Sequence, residues 1–169
     1  MILEHWLLPD EVFPDFRQVT PELLKSRGIR CIFSDIDNTL ATYDDPVPPP
    51  DVLRWCGEME EAGIRIVFVS NNGRQRVEGF NAELGYPAYW KAHKPLVGTL
   101  KRAMREAGVS PGESLLLGDQ LLTDAAAGKR TGMTVFVVPP ICDKTTLFWR
   151  IKRGIERPYM REFARRRER

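Results

Sequence analysis

The sequence is predicted to form an α/β fold, in which helices cover both faces of a doubly wound parallel sheet. Several short runs are apolar throughout rather than alternating, which is typical of strands buried on both faces. Segments with helical character separate these runs, and glycines follow the segments as left-handed caps. Strands that alternate with helices over short connections favour a Rossmann-like sheet with parallel pairing.

The strand candidates are rich in branched and aromatic residues, and they lie at residues 29–35, 64–70, 114–118 and 133–138. A weaker strand is predicted at residues 88–91. The first helix is predicted to begin at Thr20 and Pro21, a cap and a first-turn proline, and to end at Gly28. A glycine follows each of four further helix candidates, at residues 51–62, 74–84, 95–107 and 124–131.

Length and charge divide the chain into a body and a tail. Residues 1–142 are expected to form one domain, which starts with an amphipathic segment and helix over residues 1–28. Residues 143–169 carry 10 Lys and Arg against 4 Asp and Glu, and are predicted to form a basic amphipathic helix and tail. No apolar run approaches the roughly 18 residues of a membrane span, and the N-terminus lacks the basic start of a secretory signal. We therefore expect a cytoplasmic protein.

Polar residues follow the predicted strands at the points where these strands end. In doubly wound sheets, ligands bind beyond the carboxyl ends of the strands, so these residues are candidates for a functional site. The candidates are Asp35, Asp37, Ser70, Lys94, Asp119 and Asp124.

Two acidic pairs in this set predict a metal site. Asp35 and Asp37 end one apolar strand, and Asp119 and Asp124 follow another. Burying such carboxylates together is costly unless a cation or phosphate chemistry uses them. Magnesium prefers hard oxygen ligands and shares its sites with phosphates, so Mg²⁺ is the expected cofactor.

A phosphate also requires positive charge and hydrogen-bond donors. Ser70 and Asn71, where a strand leads into a helix, supply a hydroxyl and backbone donors. Lys94, at a predicted helix start, supplies a point charge. Each feature alone also has an ordinary structural explanation. The acidic pairs could be caps or turns, Lys94 could be a solvated lysine, and Asn71 could be a turn residue.

The order of the motifs is more specific than any one of them. The chain presents DIDNTL at residues 35–40, SNN at 70–72, KP at 94–95 and GDQLLTD at 118–124. In this order the motifs resemble those of the haloacid-dehalogenase-like (HAD) superfamily of phosphatases. The resemblance covers most of the chain, and within the superfamily it extends to the YqeG-like branch of subclass IIIA. That branch is related to phosphatidylglycerophosphate phosphatases.

The resemblance implies a catalytic and metal-binding role for four residues. Asp35 would be the nucleophile that forms an aspartyl phosphate, and Asp37 would be the general acid and base. Dehalogenase-type members lack the second of these aspartates, so the resemblance implies phosphatase rather than halide chemistry. The side chains of Asp35 and Asp119, with the backbone carbonyl of Asp37, would hold Mg²⁺. Asp124 would support this metal site.

The resemblance also implies which residues contact the phosphoryl group. Ser70 and Lys94 would bind its oxygens, with Asn71 contributing through its backbone. Thr39 would brace the loop that carries the nucleophile.

The short intervals between the motifs leave no room for an inserted cap domain. An open site suits a large substrate, or one presented on a surface. The resemblance implies phosphatidylglycerophosphate, which would be dephosphorylated to phosphatidylglycerol. The tail places Leu147, Ile151 and Ile155 on one helical face and arginines on another. This pattern fits either an anchor on an anionic membrane, at its inner face, or a final helix packed on the sheet.

Two alternatives stay open at this level. The substrate could be a soluble sugar or nucleotide phosphate rather than a phospholipid headgroup. A second alternative is a binding protein for RNA or a ribosomal particle, in which the phosphatase site is vestigial. The intact carboxylates and Lys94 argue against loss of the chemistry, so a nucleic-acid partner is not expected.

Overall fold

The structure is a computed structural model that describes residues 6–142 and Gly154. The described strands are β1 Glu11–Val12, β2 Cys31–Ser34, β3 Arg65–Val69, β4 Ala88–Tyr89, β5 Ser114–Gly118 and β6 Thr134–Val137. They form one sheet in the order β1-β6-β5-β2-β3-β4, and every neighbouring pair is parallel. The chain therefore runs outward from β2 to β4 and returns to the other side of β2 at β5. This reversal of strand order confirms the doubly wound prediction.

The described helices are α1 Pro21–Ser26, α2 Pro50–Glu61, α3 Arg74–Asn81, α4 Gly98–Ala107 and α5 Ala126–Thr131. A π-helical turn at Leu121–Ala125 leads into α5, and short 3₁₀ turns lie at Phe16–Gln18 and Pro111–Glu113. Thr20 caps α1, since its side chain accepts a hydrogen bond from the backbone N–H of Leu23 at 3.3 Å. The five glycines predicted as caps all have left-handed φ angles between 62° and 78°.

The sheet separates two apolar clusters, which explains the continuous hydrophobicity of its central strands. Ile32 and Phe68 face a cluster with Trp55 of α2, whereas Phe33 faces the opposite cluster with Leu100 of α4. Successive side chains of a strand point to opposite faces, so a strand covered on both sides must be apolar at every position.

The structure differs from the sequence-based assignment in several places, and helix α3 ends at Asn81 rather than at residue 84. Strand β1 was not predicted, because two residues that pair with β6 carry no hydrophobic pattern of their own. Helix α4 begins at Gly98 rather than at residue 95, because the backbone forms a turn at Lys94 and Pro95, closed by a hydrogen bond from the N–H of Leu96 to the carbonyl of His93. The helix predicted from residue 124 begins earlier, as the π-helical turn.

Residues 1–5 and, apart from Gly154, the basic tail lie outside the described residues, so the predicted anchoring faces are not part of this description. None of the helices in the described ranges is long and apolar enough to cross a membrane. Between β2 and β3 the chain forms a loop and α2, and no further domain is inserted within residues 6–142.

Candidate active site

The loop after β2 carries Asp35 and Asp37 at the carboxyl edge of the sheet. The backbone N–H of Asp35 still bonds to the carbonyl of Leu117 on β5, at 2.9 Å. The chain then turns at Asn38, which has a left-handed φ of 65°, a conformation that asparagine adopts more readily than most residues. Its backbone N–H donates to the carbonyl of Ala41 at 2.7 Å. The turn holds both carboxylates in buried positions at the strand end.

Lys94 lies between two carboxylates that come from different strands. Its Nζ is 2.9 Å from Oδ1 of Asp35 and 2.7 Å from Oδ1 of Asp124, and its side chain is only 2% exposed. Asn71 fixes the backbone at this point. It donates from Nδ2 to the Lys94 carbonyl at 2.9 Å and accepts from the Lys94 N–H at 2.7 Å. The side chain of Asn71 is thus engaged by protein, and a contribution of its backbone to a ligand stays a prediction.

Asp119 and Asp124 follow β5, and the π-helical turn sets their separation. The N–H groups of Asp124 and Ala125 both donate to the carbonyl of Gln120, at 2.9 and 3.1 Å. Single π turns of this kind are frequent at functional sites. Gly118 makes the arrangement possible, because a Cβ at this position would lie 2.4 Å from Cγ of Asp124. The glycine is required for close approach and not for an unusual φ.

Three of the predicted carboxylates form a compact buried cluster. Asp35, Asp119 and Asp124 each place an oxygen within 4.8 Å of the others, and all three are buried. Like charges at this spacing are unfavourable in a desolvated site unless cations lie close by, and Lys94 offsets part of the repulsion. A set of hard carboxylate oxygens is the donor chemistry that Mg²⁺ and similar divalent ions prefer. The cluster therefore fits a divalent cation.

The electrostatics of the cluster are dominated by burial. Burial raises the pKa of the Asp35 carboxyl to about 7, with Lys94 opposing the rise and Asp124 adding to it. Burial alone would lower the pKa of Lys94, but the charges of Asp124 and Asp35 outweigh it and hold this pKa above its usual value. Lys94 is therefore a permanent cation. The Tyr43 hydroxyl at the same site also has a raised pKa, through burial and the nearby carboxylates, and stays neutral.

This electrostatic arrangement predicts how stability depends on pH when no divalent cation is bound. Asp35 holds its proton more tightly in the folded state than in the unfolded chain, where its pKa is about 4. Its stabilising contribution is therefore complete below about pH 4 and is lost as the pH rises through about 7. We expect the free energy of unfolding, measured by urea titration with a chelator, to fall across this window and to recover with magnesium.

The Asp35→Asn variant is the control for this prediction, because it removes the titrating group and preserves the shape of the side chain. Its stability in chelator should show a flatter pH dependence than that of the wild type. Identical slopes in the two proteins would show that Asp35 does not titrate in this window.

Asp37 is held by residues that the sequence analysis did not identify. Nε of Arg76 is 2.9 Å from its Oδ1, and Nδ2 of Asn72 is 3.1 Å from its Oδ2. Arg76 also donates to the carbonyls of Asp45 and Thr42, at 2.5 and 3.0 Å. One guanidinium thus ties the carboxylate to the loop between β2 and α2. Arg76 lies in the first turn of α3, six residues after Ser70. It belongs to no recognisable motif, so the sequence carried no signal for this role.

A cavity of about 350 Å³ opens over these groups, partly exposed to solvent. Its lining residues are Asp35, Asp37, Tyr43, Ser70, Asn71, Asn72, Lys94, Gln120, Thr123 and Asp124. Tyr43, Gln120 and Thr123 were not expected. Tyr43 lies in the loop between β2 and α2, whereas Gln120 and Thr123 lie at the start of the π-helical turn and within it. The positions of both segments depend on tertiary packing.

Of the remaining predicted residues, Ser70 lines this cavity, whereas Thr39 and Asp119 are not among its lining residues. The Ser70 hydroxyl oxygen accepts a hydrogen bond from the backbone N–H of Asn72 at 3.0 Å. The hydroxyl proton of Ser70 can therefore be donated to a ligand. Thr39 is buried within the loop after β2, where its N–H donates to the carbonyl of Ile36 at 3.2 Å. The structure therefore brings Asp35, Asp37 and Lys94 together with the other predicted site residues at one edge of the sheet.

Comparisons with known proteins agree with this geometry. The Hydrolase-like family, described as HAD-hydrolase-like, matches residues 91–140, the segment that contains Lys94, Asp119 and Asp124. The probable phosphatase YqeG of Bacillus subtilis strain 168 is 38% identical over 156 residues, which cover 92% of this chain and 91% of that protein.

A second relative and a solved structure extend the comparison. The chloroplastic phosphatidylglycerophosphate phosphatase 1 of Chlamydomonas reinhardtii is 32% identical, over 79% of this chain but only 53% of its own length. The cobalt-bound deoxy-D-mannose-octulosonate 8-phosphate phosphatase of Haemophilus influenzae superposes with a TM-score of 0.56. The superposition covers 83% of this chain and 92% of that one. At 12% identity this likeness shows the fold alone.

Proposed function

The chain belongs to the HAD superfamily of phosphatases, and from this premise we propose a specific reaction for it: magnesium-dependent hydrolysis of a phosphomonoester through an aspartyl phosphate on Asp35. One observation carries the proposal. A permanent cation, Lys94, bridges Asp35 and Asp124 in a cluster of buried carboxylates at the floor of a cavity. Such a site can bind a phosphate dianion and place a nucleophile against it. Residues 1–142 would form this catalytic domain.

The reaction divides into two displacements at phosphorus. In the first, a carboxylate oxygen of Asp35 forms a bond to phosphorus while the bond to the ester oxygen breaks. Asp37 gives its proton to the departing alkoxide. In the second, Asp37 accepts a proton from a water molecule that attacks the aspartyl phosphate, which releases inorganic phosphate and restores the Asp35 carboxylate.

The metal and the phosphate are assigned to separate groups of residues. Asp35, Asp119 and the main-chain carbonyl of Asp37 would hold Mg²⁺, with Asp124 beside them. The ion would supply positive charge to neutralise the phosphoryl oxygens.

The phosphoryl oxygens would also be bound from the protein side. Lys94 supplies a fixed charge, the Ser70 hydroxyl a proton donor, and Asn71 a backbone donor. Thr39 would steady the loop that carries Asp35. Because Lys94 is held by two carboxylates and by Asn71, it needs little reorganisation when a phosphate binds.

We assign phosphatidylglycerophosphate as the substrate, with phosphatidylglycerol as the product. The relative from C. reinhardtii is named for activity on this compound, which supports the choice. The cavity is partly open to solvent, and an open site can accept a headgroup whose acyl chains remain in a bilayer.

The experiment that tests the assignment is phosphate release from vesicles that contain phosphatidylglycerophosphate, in the presence of magnesium. A panel of soluble sugar and nucleotide phosphates is assayed in parallel, with Asp35→Asn as the inactive control. We expect selective release from the lipid. Faster turnover of a soluble ester would retain the mechanism and reject the lipid as substrate.

Arg76 provides a prediction about the orientation of Asp37. In Arg76→Met the carboxylate loses its charged partner and the loop at Thr42 loses two hydrogen bonds. Misplacing a proton donor by a fraction of an ångström lowers the rate without weakening ground-state binding, so we expect kcat to fall roughly 10- to 100-fold at nearly constant KM. Steady-state kinetics on a soluble chromogenic ester measures this split.

Arg74→Met is the matched control. Arg74 lies in the same turn and also lies over an aromatic ring, but within the described residues its ion pair is with the exposed Glu78. Its kinetics should be close to those of the wild type. A rise in KM with unchanged kcat in Arg76→Met would contradict a positioning role.

A further inference from the structure

The loop between β4 and α4 has two faces with different chemistry. Trp90 and Lys91 are exposed, and so is His93, which lies between the buried residues Ala92 and Lys94. Lys91 and His93 have left-handed φ angles of 45° and 55°, which non-glycine residues adopt only when their surroundings enforce it. These two turns produce the alternation of inward and outward side chains.

Hydrogen bonds fix the inner face of the loop to the catalytic cavity. The N–H of Lys91 donates to the carbonyl of Asn72 at 2.8 Å, and that of Ala92 donates to the carbonyl of Ser70 at 3.0 Å. Asn71 holds the backbone of Lys94 from both sides. The outer side chains are therefore displayed at a constant position relative to the site.

The outer face combines exposed apolar and cationic groups. Trp90 is 38% exposed and Leu96 is 62% exposed. The guanidinium of Arg74 lies 5.1 Å from the Trp90 ring centroid, and Arg130 donates to the Pro95 carbonyl at 2.8 Å. Residues 90–97 contain no acidic side chain, while Glu78 pairs with Arg74 at one border.

We infer that this outer face, formed by Arg74, Trp90, Lys91, His93, Leu96 and Arg130, docks on the surface of an anionic phospholipid bilayer. The inference rests on the proposed function, in which a lipid carries the phosphomonoester. Tryptophan and leucine enter the boundary between headgroups and acyl chains, and the cations meet lipid phosphates. Docking in this orientation brings the headgroup to Lys94, which arises from the inner side of the same loop.

The distribution of exposed apolar residues supports a surface at this edge. Among the described residues, the large hydrophobic side chains that are exposed are Trp6, Val47, Trp90, Leu96 and Ile141. Four of these five lie in loops that follow strands or precede helices at the carboxyl edge, where the cavity opens. Val47 comes just before α2, and the N–H of Ile141 donates to the carbonyl of Asn38 at 3.1 Å.

A bilayer fits this composition better than a protein does. The core of a protein interface is depleted in lysine and built on a contiguous apolar area. Here separate apolar side chains are interspersed with cations, which is the pattern of shallow interfacial binding.

The test uses the full chain with a double variant, Lys91→Glu and Leu96→Ser, and with Lys25→Glu as charge-matched control. Lys25 is exposed near the end of α1, at the opposite edge of the sheet. Cosedimentation is measured with phosphatidylcholine vesicles, with and without phosphatidylglycerol. Turnover is measured on a soluble chromogenic ester, on detergent-dispersed phosphatidylglycerophosphate and on the same lipid in vesicles.

We expect wild type and Lys25→Glu to bind only the anionic vesicles, and the double variant to lose at least about tenfold in vesicle binding and vesicle turnover. Its rates on the soluble ester and the dispersed lipid should match the wild type. Undiminished vesicle binding by the double variant, or no binding by the wild type, would overturn the docking surface. Failure of the wild type to hydrolyse the dispersed lipid would instead reject the proposed substrate, while the binding measurement still decides the docking.

Discussion

The Asp35→Asn variant is expected to lose turnover of every phosphomonoester, by at least about a thousandfold. An amide has the shape of the carboxylate but cannot form the acyl phosphate on which the proposed reaction depends. Phosphate release under saturating magnesium measures the loss. Acid quenching of the wild type during turnover should trap phosphate covalently bound to the protein. This bound phosphate should be missing from the variant.

Loss of activity alone does not separate chemistry from misfolding, so stability is measured beside it. The variant removes one charge from a crowded acidic cluster, and without metal it should unfold at an equal or higher urea concentration than the wild type. Asp44→Asn, at an exposed position of the same loop, serves as the matched control and should keep full activity. Substantial turnover by Asp35→Asn would exclude an aspartyl phosphate at this position.

The Lys94→Met variant is expected to lose both stability and rate. Methionine fills a similar volume, but it leaves Asp35 and Asp124 without the cation that lies within 2.9 Å of each. Removing one partner of a buried ion pair typically costs about 3–5 kcal/mol. The missing charge should also slow turnover by roughly a hundredfold or more, because the phosphoryl group loses a preorganised partner.

Urea unfolding at neutral pH in chelator measures the loss of stability, with Lys101→Met, an exposed lysine on α4, as control. The deficit should shrink in acid, where protonated Asp35 no longer needs a cation beside it. An unaltered midpoint for Lys94→Met would mean that the ion pairs around Lys94 contribute nothing to folding.

The convergence of the site could be predicted because it depends on topology. Asp35 follows β2, Lys94 comes shortly after β4, and Asp119 follows β5. All three strands are parallel, so their carboxyl ends lie at one edge of the sheet. The chemistry at that edge was predicted from the residue types together with the order of the motifs, whose resemblance to the HAD superfamily implied the role of each residue.

Features that depend on the packing of loops could not be predicted. Arg76 meets Asp37 only because the loop after β2 folds back over α3, and no local pattern encodes that contact. The π-helical turn before α5 has no recognisable sequence signal, although it sets the spacing of Asp119 and Asp124. The two-residue strand β1 is defined by its partner β6 rather than by its own residues.

The pairing of Asp35 with Lys94 has a consequence for the order in which this protein folds. The two residues are 59 positions apart in the chain, and β2, which precedes Asp35, pairs with β3 on one side and with β5 on the other. Such non-local, parallel contacts form slowly, because the chain must lose the entropy of closing a long loop before any of these contacts can stabilise it. A chain in which only the amino-terminal half has folded contains Asp35 but lacks the positioned carboxylates of Asp119 and Asp124. Enzymatic competence is thus among the last properties to emerge during refolding.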